Sequence, residues 1–242
     1  MRNRSLAIVP ALNEQGSIER VVSAIKSENP EFDVLVVDDG SGDATAERAQ
    51  DAGAVVLIHP INLGIGGAVQ SGYQFALANG YEYAVQIDGD GQHPPGELAK
   101  LVERIGSEPA VDLVYGSRFI GKRTYDQSFM RMFGIRIFCA VLSVITRQKV
   151  TDPTSGFRLA NHRAIKLFAD DYPHDYPEVE AILMMHRHSL KTAEVAVLMD
   201  DRETGSSSIT WLHSGFYMLK VLLAVFIGLF RAPNKMPTEP GE

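Results

Sequence analysis

Short apolar runs alternate with helical patterns through roughly the first half of this chain, and that alternation constrains the fold more than any other feature. The runs are residues 6–9, 34–37, 55–58, 83–87 and 113–115, with helical patterns at 17–27, 44–52, 66–78 and 96–105 between them. Strands separated by helices of this length form βαβ units and a mostly parallel sheet. Parallel strands buried on both faces read as continuous apolar runs, and Val34-Leu35-Val36-Val37 does so. Ser41 and Asp43 offer N-cap chemistry for the helix after the second strand. Farther along, the pattern gives a long helix over about 128–147, a polar segment at 151–156, a helix at about 179–188 and a strand at about 192–197. A polar loop at 200–208 and an apolar helix at 211–230 follow. The expected organisation is one α/β domain over 1–210, an apolar C-terminal helix over 211–231 and a disordered tail at 232–242, rich in Pro and Glu.

Composition narrows the function classes. A chain of 242 residues suits one large α/β domain or two small ones. The net charge of −7 and pI near 5.5 argue against a general nucleic-acid binder, which carries a basic footprint. The single cysteine, Cys139, excludes an intramolecular disulfide and a cysteine-rich metal site. The N-terminal apolar run is too short for a signal-peptide core, and no stretch reaches the roughly 20 apolar residues of a spanning helix. A cytosolic protein is expected.

Each strand end in the first half carries polar chemistry. In order these are Pro10-Ala11-Leu12-Asn13-Glu14, Asp38-Asp39-Gly40-Ser41-Gly42-Asp43, Asn62-Leu63-Gly64-Ile65-Gly66-Gly67, Asp88-Gly89-Asp90-Gly91-Gln92-His93, and Gly116-Ser117-Arg118. A right-handed parallel sheet brings these ends to one edge, where open α/β sheets bind ligands. Two carboxylates and a carboxamide at 88–92 suit a hard divalent cation shared with phosphate oxygens. Glycines let a backbone approach a ligand, and helix N-termini favour anions. Singly, each segment is also ordinary turn chemistry; five along one edge are harder to reach that way.

Together with Asp152-Pro153-Thr154-Ser155-Gly156-Phe157-Arg158, these segments resemble glycosyltransferase family 2, nearest to its dolichyl-phosphate mannosyltransferases and bacterial polyprenyl-phosphate relatives. The resemblance covers about residues 5–210. It implies a GT-A fold, a Rossmann-like mostly parallel sheet flanked by helices, that binds a nucleoside-diphosphate sugar. It also implies donor-nucleotide contacts from Pro10, Leu12, Glu14, Asp39, Gly64 and Asp88, and Mg²⁺ or Mn²⁺ held by Asp88, Asp90 and Gln92. Arg118 and Arg131 would bind an acceptor phosphate. Arg202, in an Arg-x-x-Gly-x-Ser segment, would hold the diphosphate; here Ser207-Ser208-Ile209 stands where the subgroup often has Lys after the serine.

The chemistry agrees with the residue types. Displacement at an anomeric carbon develops charge on the leaving nucleoside diphosphate, which the cation and Arg202 would stabilise. A phosphate acceptor is already ionised and needs cations to position it, for which the arginine fork is suited. A sugar-hydroxyl acceptor would need a general base instead. Glu178, Glu180 and Asp175 are the candidates, although acidic residues opening a helix also complement its dipole. A non-catalytic sugar-nucleotide-binding subunit is a third reading. Arg131, Arg136 and Arg147 intersperse the apolar 129–147 stretch, and the 211–231 helix is apolar nearly all round. Such helices cover themselves with protein, a second copy of the chain or a lipid surface. A lipid-linked acceptor would place the enzyme peripherally at the cytosolic face of a membrane.

Overall fold

The computed structural model describes residues 4–120, 129–174 and 176–199, with the side chains of 129–133 outside that description. Its described elements run β1 (Ser5–Ala11), α1 (Ile18–Glu28), β2 (Phe32–Asp38), α2 (Thr45–Asp51), β3 (Val55–Ile58), α3 (Gly64–Ala78) and β4 (Tyr83–Gln86). A 3₁₀ turn at Pro95–Glu97 then leads into α4 (Leu98–Ser107), β5 (Leu113–Ser117), α5 (Phe129–Thr146), β6 (Arg158–Asn161), α6 (His162–Asp170), α7 (Pro177–Arg187) and β7 (Thr192–Ala196). The strands form one sheet in the order β3-β2-β1-β4-β6-β5-β7.

The period of two along the strands divides the core between the two faces. On one face, Leu6 and Ile8 of β1 and Leu35 and Val37 of β2 pack with Val69 and Tyr73 of α3 and Ile165 and Phe168 of α6. On the other, Ala7, Val9, Val34 and Val36 meet Val21, Val22 and Ile25 of α1 and Leu98 and Leu101 of α4. The i, i+3, i+4, i+7 spacing of Ile18, Val21, Val22 and Ile25 is what gives α1 its single buried face. A third cluster joins α5 and α7 through Phe138, Leu142, Val179, Ile182 and Leu183.

The expected alternation stands, with one addition. β6 and α6 lie where the sequence pattern marks no element. β6 is antiparallel to both β4 and β5, pairing Gln86 with Arg158 and Tyr115 with Arg158. The other strand pairs are parallel. Reversal is what makes β6 useful: its beginning, not its end, lies beside the carboxyl ends of β4 and β5. The loop 152–157 therefore enters the ligand-facing edge.

Two further expectations change in detail. Ala44, not Ser41 or Asp43, precedes the first residue of α2, and it makes no side-chain cap. Asp43 instead accepts from the Thr45 N–H at 3.0 Å and from the Thr45 hydroxyl, while Ser41 Oγ accepts from the Asn13 N–H at 2.9 Å. Those side chains tie the second strand-end loop to the first. The 200–208 loop, the apolar 211–231 helix and the tail lie outside the described residues. Among the described residues, no helix is long and apolar enough to cross a membrane.

Candidate active site

Strand ends bring the polar segments together, and side chains then lock each loop to its neighbour. Ser17, just before α1, does not cap its own helix. Its hydroxyl donates 2.8 Å to the Gly89 carbonyl and lies 2.9 Å from Glu14 Oε2. One serine thus pins the Asp88–Gly89–Asp90 turn to the Glu14 loop. The Glu14 N–H is bound in turn to Thr45 Oγ1 at 2.8 Å. Gly89 is tightly placed: a Cβ there would lie 3.1 Å from the Pro10 carbonyl oxygen, so the β1 backbone would have to give way slightly.

The acidic turn has one exposed and one buried carboxylate. Asp88 is about one-third exposed, and its side chain accepts from Gln86 Nε2 at 3.2 Å. The Asp88 N–H donates to His93 Nδ1 at 3.1 Å, which makes Nδ1 an acceptor and puts the imidazole proton of the neutral ring on Nε2, 3.6 Å from Asp88 Oδ2. His93 stacks on Phe157 with ring centroids 5.2 Å apart. Asp90 is buried, and its Oδ1 accepts from the Gln92 N–H at 3.0 Å. Gly91 has φ +81°, the left-handed conformation this tight turn requires.

Asp39 is also buried and heavily engaged. Its two oxygens accept the Leu63 and Gly64 N–H groups at 2.9 and 2.8 Å, and Oδ1 lies 2.7 Å from His59 Nδ1. Pro10 is buried in β1, Leu12 stands exposed beyond its end, and Glu14 is half-buried. Gly64 begins α3 with φ +81°.

Across the edge, Arg118 follows β5. Its Nε and Nη2 donate to the two oxygens of Asp152 at 2.7 and 2.9 Å, its backbone N–H donates to the same carboxylate at 3.1 Å, and Nη2 also reaches Thr154 Oγ1 at 2.9 Å. The Asp152 side chain is fully buried. Glu194 of β7 holds this loop by accepting the Thr151 and Asp152 N–H groups at 2.7 and 3.1 Å. Next to Asp88, Gly156 leaves little room for a side chain: a Cβ would sit 3.2–3.3 Å from both Asp88 oxygens and 2.9 Å from Gln86 Nε2, so one of those side chains would have to move.

Arg158 lies beneath all of this, fully buried. It donates to the carbonyls of Ser155, Pro153 and Glu178 at 2.7, 3.3 and 2.6 Å, while its Nη1 has no hydrogen-bond partner among the described residues. Burial pushes the Glu178 carboxyl up; the Arg158 charge works against that rise and the Asp88 charge adds to it. Glu178 and Glu180 are both half-buried on the first turn of α7. Cys139 is inert by the same logic: burial pushes its thiol up to about 12, and it donates to the Thr151 carbonyl.

The edge therefore gathers Glu14, Asp39, Gly64, Asp88, Asp90, Gln92 and Arg118, with the Glu178 backbone tied in through Arg158. Arg131 lies on α5 with its side chain outside the description, and Arg202 and Asp175 are outside the described residues. Sequence reasoning passed over Gln86, Ser17, His59 and Asp152 as working parts, whereas the place of His93 directly after Asp-Gly-Asp marks it as a support of that turn. Gln86 and His59 had a signal, since each is a polar residue in or directly after an apolar strand run.

Several known proteins are similar to this chain. The undecaprenyl-phosphate mannosyltransferase of Micrococcus luteus is 31% identical over 86% of this chain and 88% of its own length. The UDP-N-acetylglucosamine–dolichyl-phosphate N-acetylglucosaminyltransferase of Methanococcus voltae is 27% identical over 91% of this chain and 95% of its own. Among solved structures, glucosyl-3-phosphoglycerate synthase of Mycobacterium tuberculosis, in complex with Mn²⁺, UDP and glucosyl-3-phosphoglycerate, superposes with a TM-score of 0.70 at 21% identity. That match covers 96% of this chain and 81% of the other. The fold is thus GT-A. The profile of glycosyl transferase family 2 matches residues 6–168, well over half the chain, and the protein belongs to that family.

Proposed function

We propose that this glycosyltransferase moves one sugar, with inversion, from a nucleoside-diphosphate sugar to a polyprenyl phosphate. The observation that carries the reading is the Asp88–Gln92 turn: two carboxylates in a turn pinned by Ser17, Gln86 and His93 where β4 ends. Both named relatives act on a polyprenyl phosphate with different sugars, so the acceptor class is the shared element.

The donor set fits a hard divalent cation. Asp88, Asp90 and Gln92 offer oxygen ligands only, and among the described residues no cluster of three or more His, Cys, Asp or Glu side chains could enclose a metal unaided. Such a set leaves coordination positions for phosphate oxygens, as Mg²⁺ and Mn²⁺ prefer. When bound, the cation supplies charge to stabilise the leaving diphosphate. The residues of the chain do the rest. Asp39, Gly64, Glu14, Pro10 and Leu12 orient the nucleoside, and Arg202 adds positive charge where the leaving group develops negative charge. Asp152 fixes the plane of Arg118, which with Arg131 positions the acceptor phosphate for attack on the anomeric carbon. That phosphate attacks as an anion, so no proton need be removed. Peripheral attachment to the cytosolic face of a membrane, through α5 and the 211–231 segment, fits a lipid-linked acceptor.

A thermal-shift panel of UDP, GDP, dTDP, CDP and ADP, each with and without Mn²⁺, tests the donor site by mass action. A metal-dependent shift for one base supports the reading; no shift with any of them rejects it. Transfer to a short-chain polyprenyl phosphate then tests the acceptor.

One observation favours a second reading. Glu178 is a carboxyl held above its ordinary range beside Asp88, as a general base for a sugar-hydroxyl acceptor would be. In that case Glu178→Gln abolishes transfer; with a phosphate acceptor it leaves most of it.

A further inference from the structure

A closed relay of side chains stands behind the donor side of the edge. His59, just after β3, has Nδ1 2.7 Å from Asp39 Oδ1 and Nε2 2.9 Å from Ser71 Oγ, two turns into α3. Asp39 in turn accepts the N–H groups of Leu63 and Gly64, which open the same helix. The circuit therefore runs from α3 to the end of β3, to the end of β2, and back to the start of α3. His59 and Asp39 are only 6% and 4% exposed. An ionised carboxylate only accepts, so Nδ1 carries a proton, and the Nε2 of a neutral ring accepts the Ser71 hydroxyl proton.

The two loops joined by the relay leave no slack. A Cβ on Gly40 would lie 3.1 Å from both the Asn62 nitrogen and the Ile61 carbonyl carbon, so the turn after Asp39 presses on the 61–62 backbone. Gly40 and Gly64 both hold left-handed φ values, +79° and +81°, that fix the path of each loop. Any rotation of Asp39 would break two backbone hydrogen bonds and shift the start of α3. The imidazole is the side-chain donor that fixes that rotation.

We propose that His59 is a positioning residue for the donor nucleotide. It holds the Asp39 carboxylate and the first turn of α3 as one preset wall, so that a nucleoside diphosphate binds without paying to order it. His59 itself touches no substrate. The inference rests on the donor-site reading above.

Two isosteres separate this role from simple packing. Asparagine at 59 can place its amide near the former Nδ1 and keep a donor to Asp39 while losing Ser71. Glutamine reaches the former Nε2, keeps Ser71 and loses the donor to Asp39. We expect His59→Gln to raise the nucleoside-diphosphate Kd and donor KM about ten-fold, the loss of one charge-assisted hydrogen bond, with kcat little changed. It should also speed amide hydrogen exchange at Leu63 and Gly64. His59→Asn should recover most of both effects. Equal behaviour of the two variants, or unchanged exchange and Kd in His59→Gln, overturns the proposal. Wild-type protein that binds none of UDP, GDP, dTDP, CDP or ADP with Mn²⁺ rejects the donor-site reading instead. The exchange rates then decide by themselves whether His59 holds this wall.

Discussion

On the β1–β3 side of the edge, loops are held by backbone N–H groups donated to side chains of the adjoining loop: Asn13 to Ser41, Glu14 to Thr45, Leu63 and Gly64 to Asp39. On the β5–β6 side, buried ionic groups do the holding: Arg118 with Asp152, Glu194 under the 151–152 backbone, and Arg158 among three carbonyls. The first side distributes many modest interactions around a shape. The second concentrates large electrostatic terms in a few atoms, and buried ion pairs are strongly destabilising when one partner is lost. In folding stability, a donor wall can tolerate single losses. The acceptor side should not.

Substitution tests that contrast directly. The largest effect belongs to the turn shared by both sides. Asp88→Ala or Asp90→Ala should lower transfer by at least about 10²-fold, the scale for removing one charge-stabilising contact. Circular dichroism should meanwhile show an intact fold. A folded Asp90→Ala enzyme with full activity would remove the metal assignment.

Next comes Asp152→Ala, which leaves Arg118 without its carboxylate and should destabilise the protein by about 3 kcal/mol in denaturant titrations. Asp43→Ala, on the distributed side, should cost about 1 kcal/mol. Equal losses would erase the contrast. Gly156→Ala should be smaller in stability, about 1 kcal/mol of strain. Its new methyl group must displace Asp88 or Gln86, so kcat should fall more than the melting temperature does.

The smallest effect is pH-dependent. Because the folded Glu178 carboxyl is raised, its contribution to stability is complete below the ordinary carboxylate range. It is lost as pH rises through the folded value. Glu178→Gln should therefore match wild type near pH 4 and melt higher at pH 7. A difference that shrinks toward pH 7 would contradict the burial of that carboxyl.

The same contrast explains what the sequence made legible. β1–β4 announce themselves because each is a short apolar run, and the donor loops because their Asp, Gly and Ser residues interact with near neighbours. β6 begins with Arg158 and spans Arg158–Asn161; only its partners in β4 and β5 make it a strand. Arg158 closes a motif in the sequence, and its full burial follows only from the fold, because carbonyls of the 153–155 segment and of the first turn of α7 converge on it. Asp152 belonged to a motif, but its pairing with Arg118 spans 34 residues and no local pattern encodes it. His59 stood alone after an apolar run, and its meaning depends on Asp39 and Ser71 meeting it in space.

The reversed strand also orders the birth of the enzyme. β4 and β5 are not hydrogen-bonded to each other; β6 lies between them. A chain emerging from the ribosome can lay down β1–β4 as a continuous sheet, but β5 must wait for residues synthesised some forty positions later. Domains tend to fold as they appear, and distant pairings come late. The nascent protein would thus own a nearly finished nucleotide wall before it owned an acceptor side, and the wedge that β6 drives between β4 and β5 would bring Gly156 against Asp88.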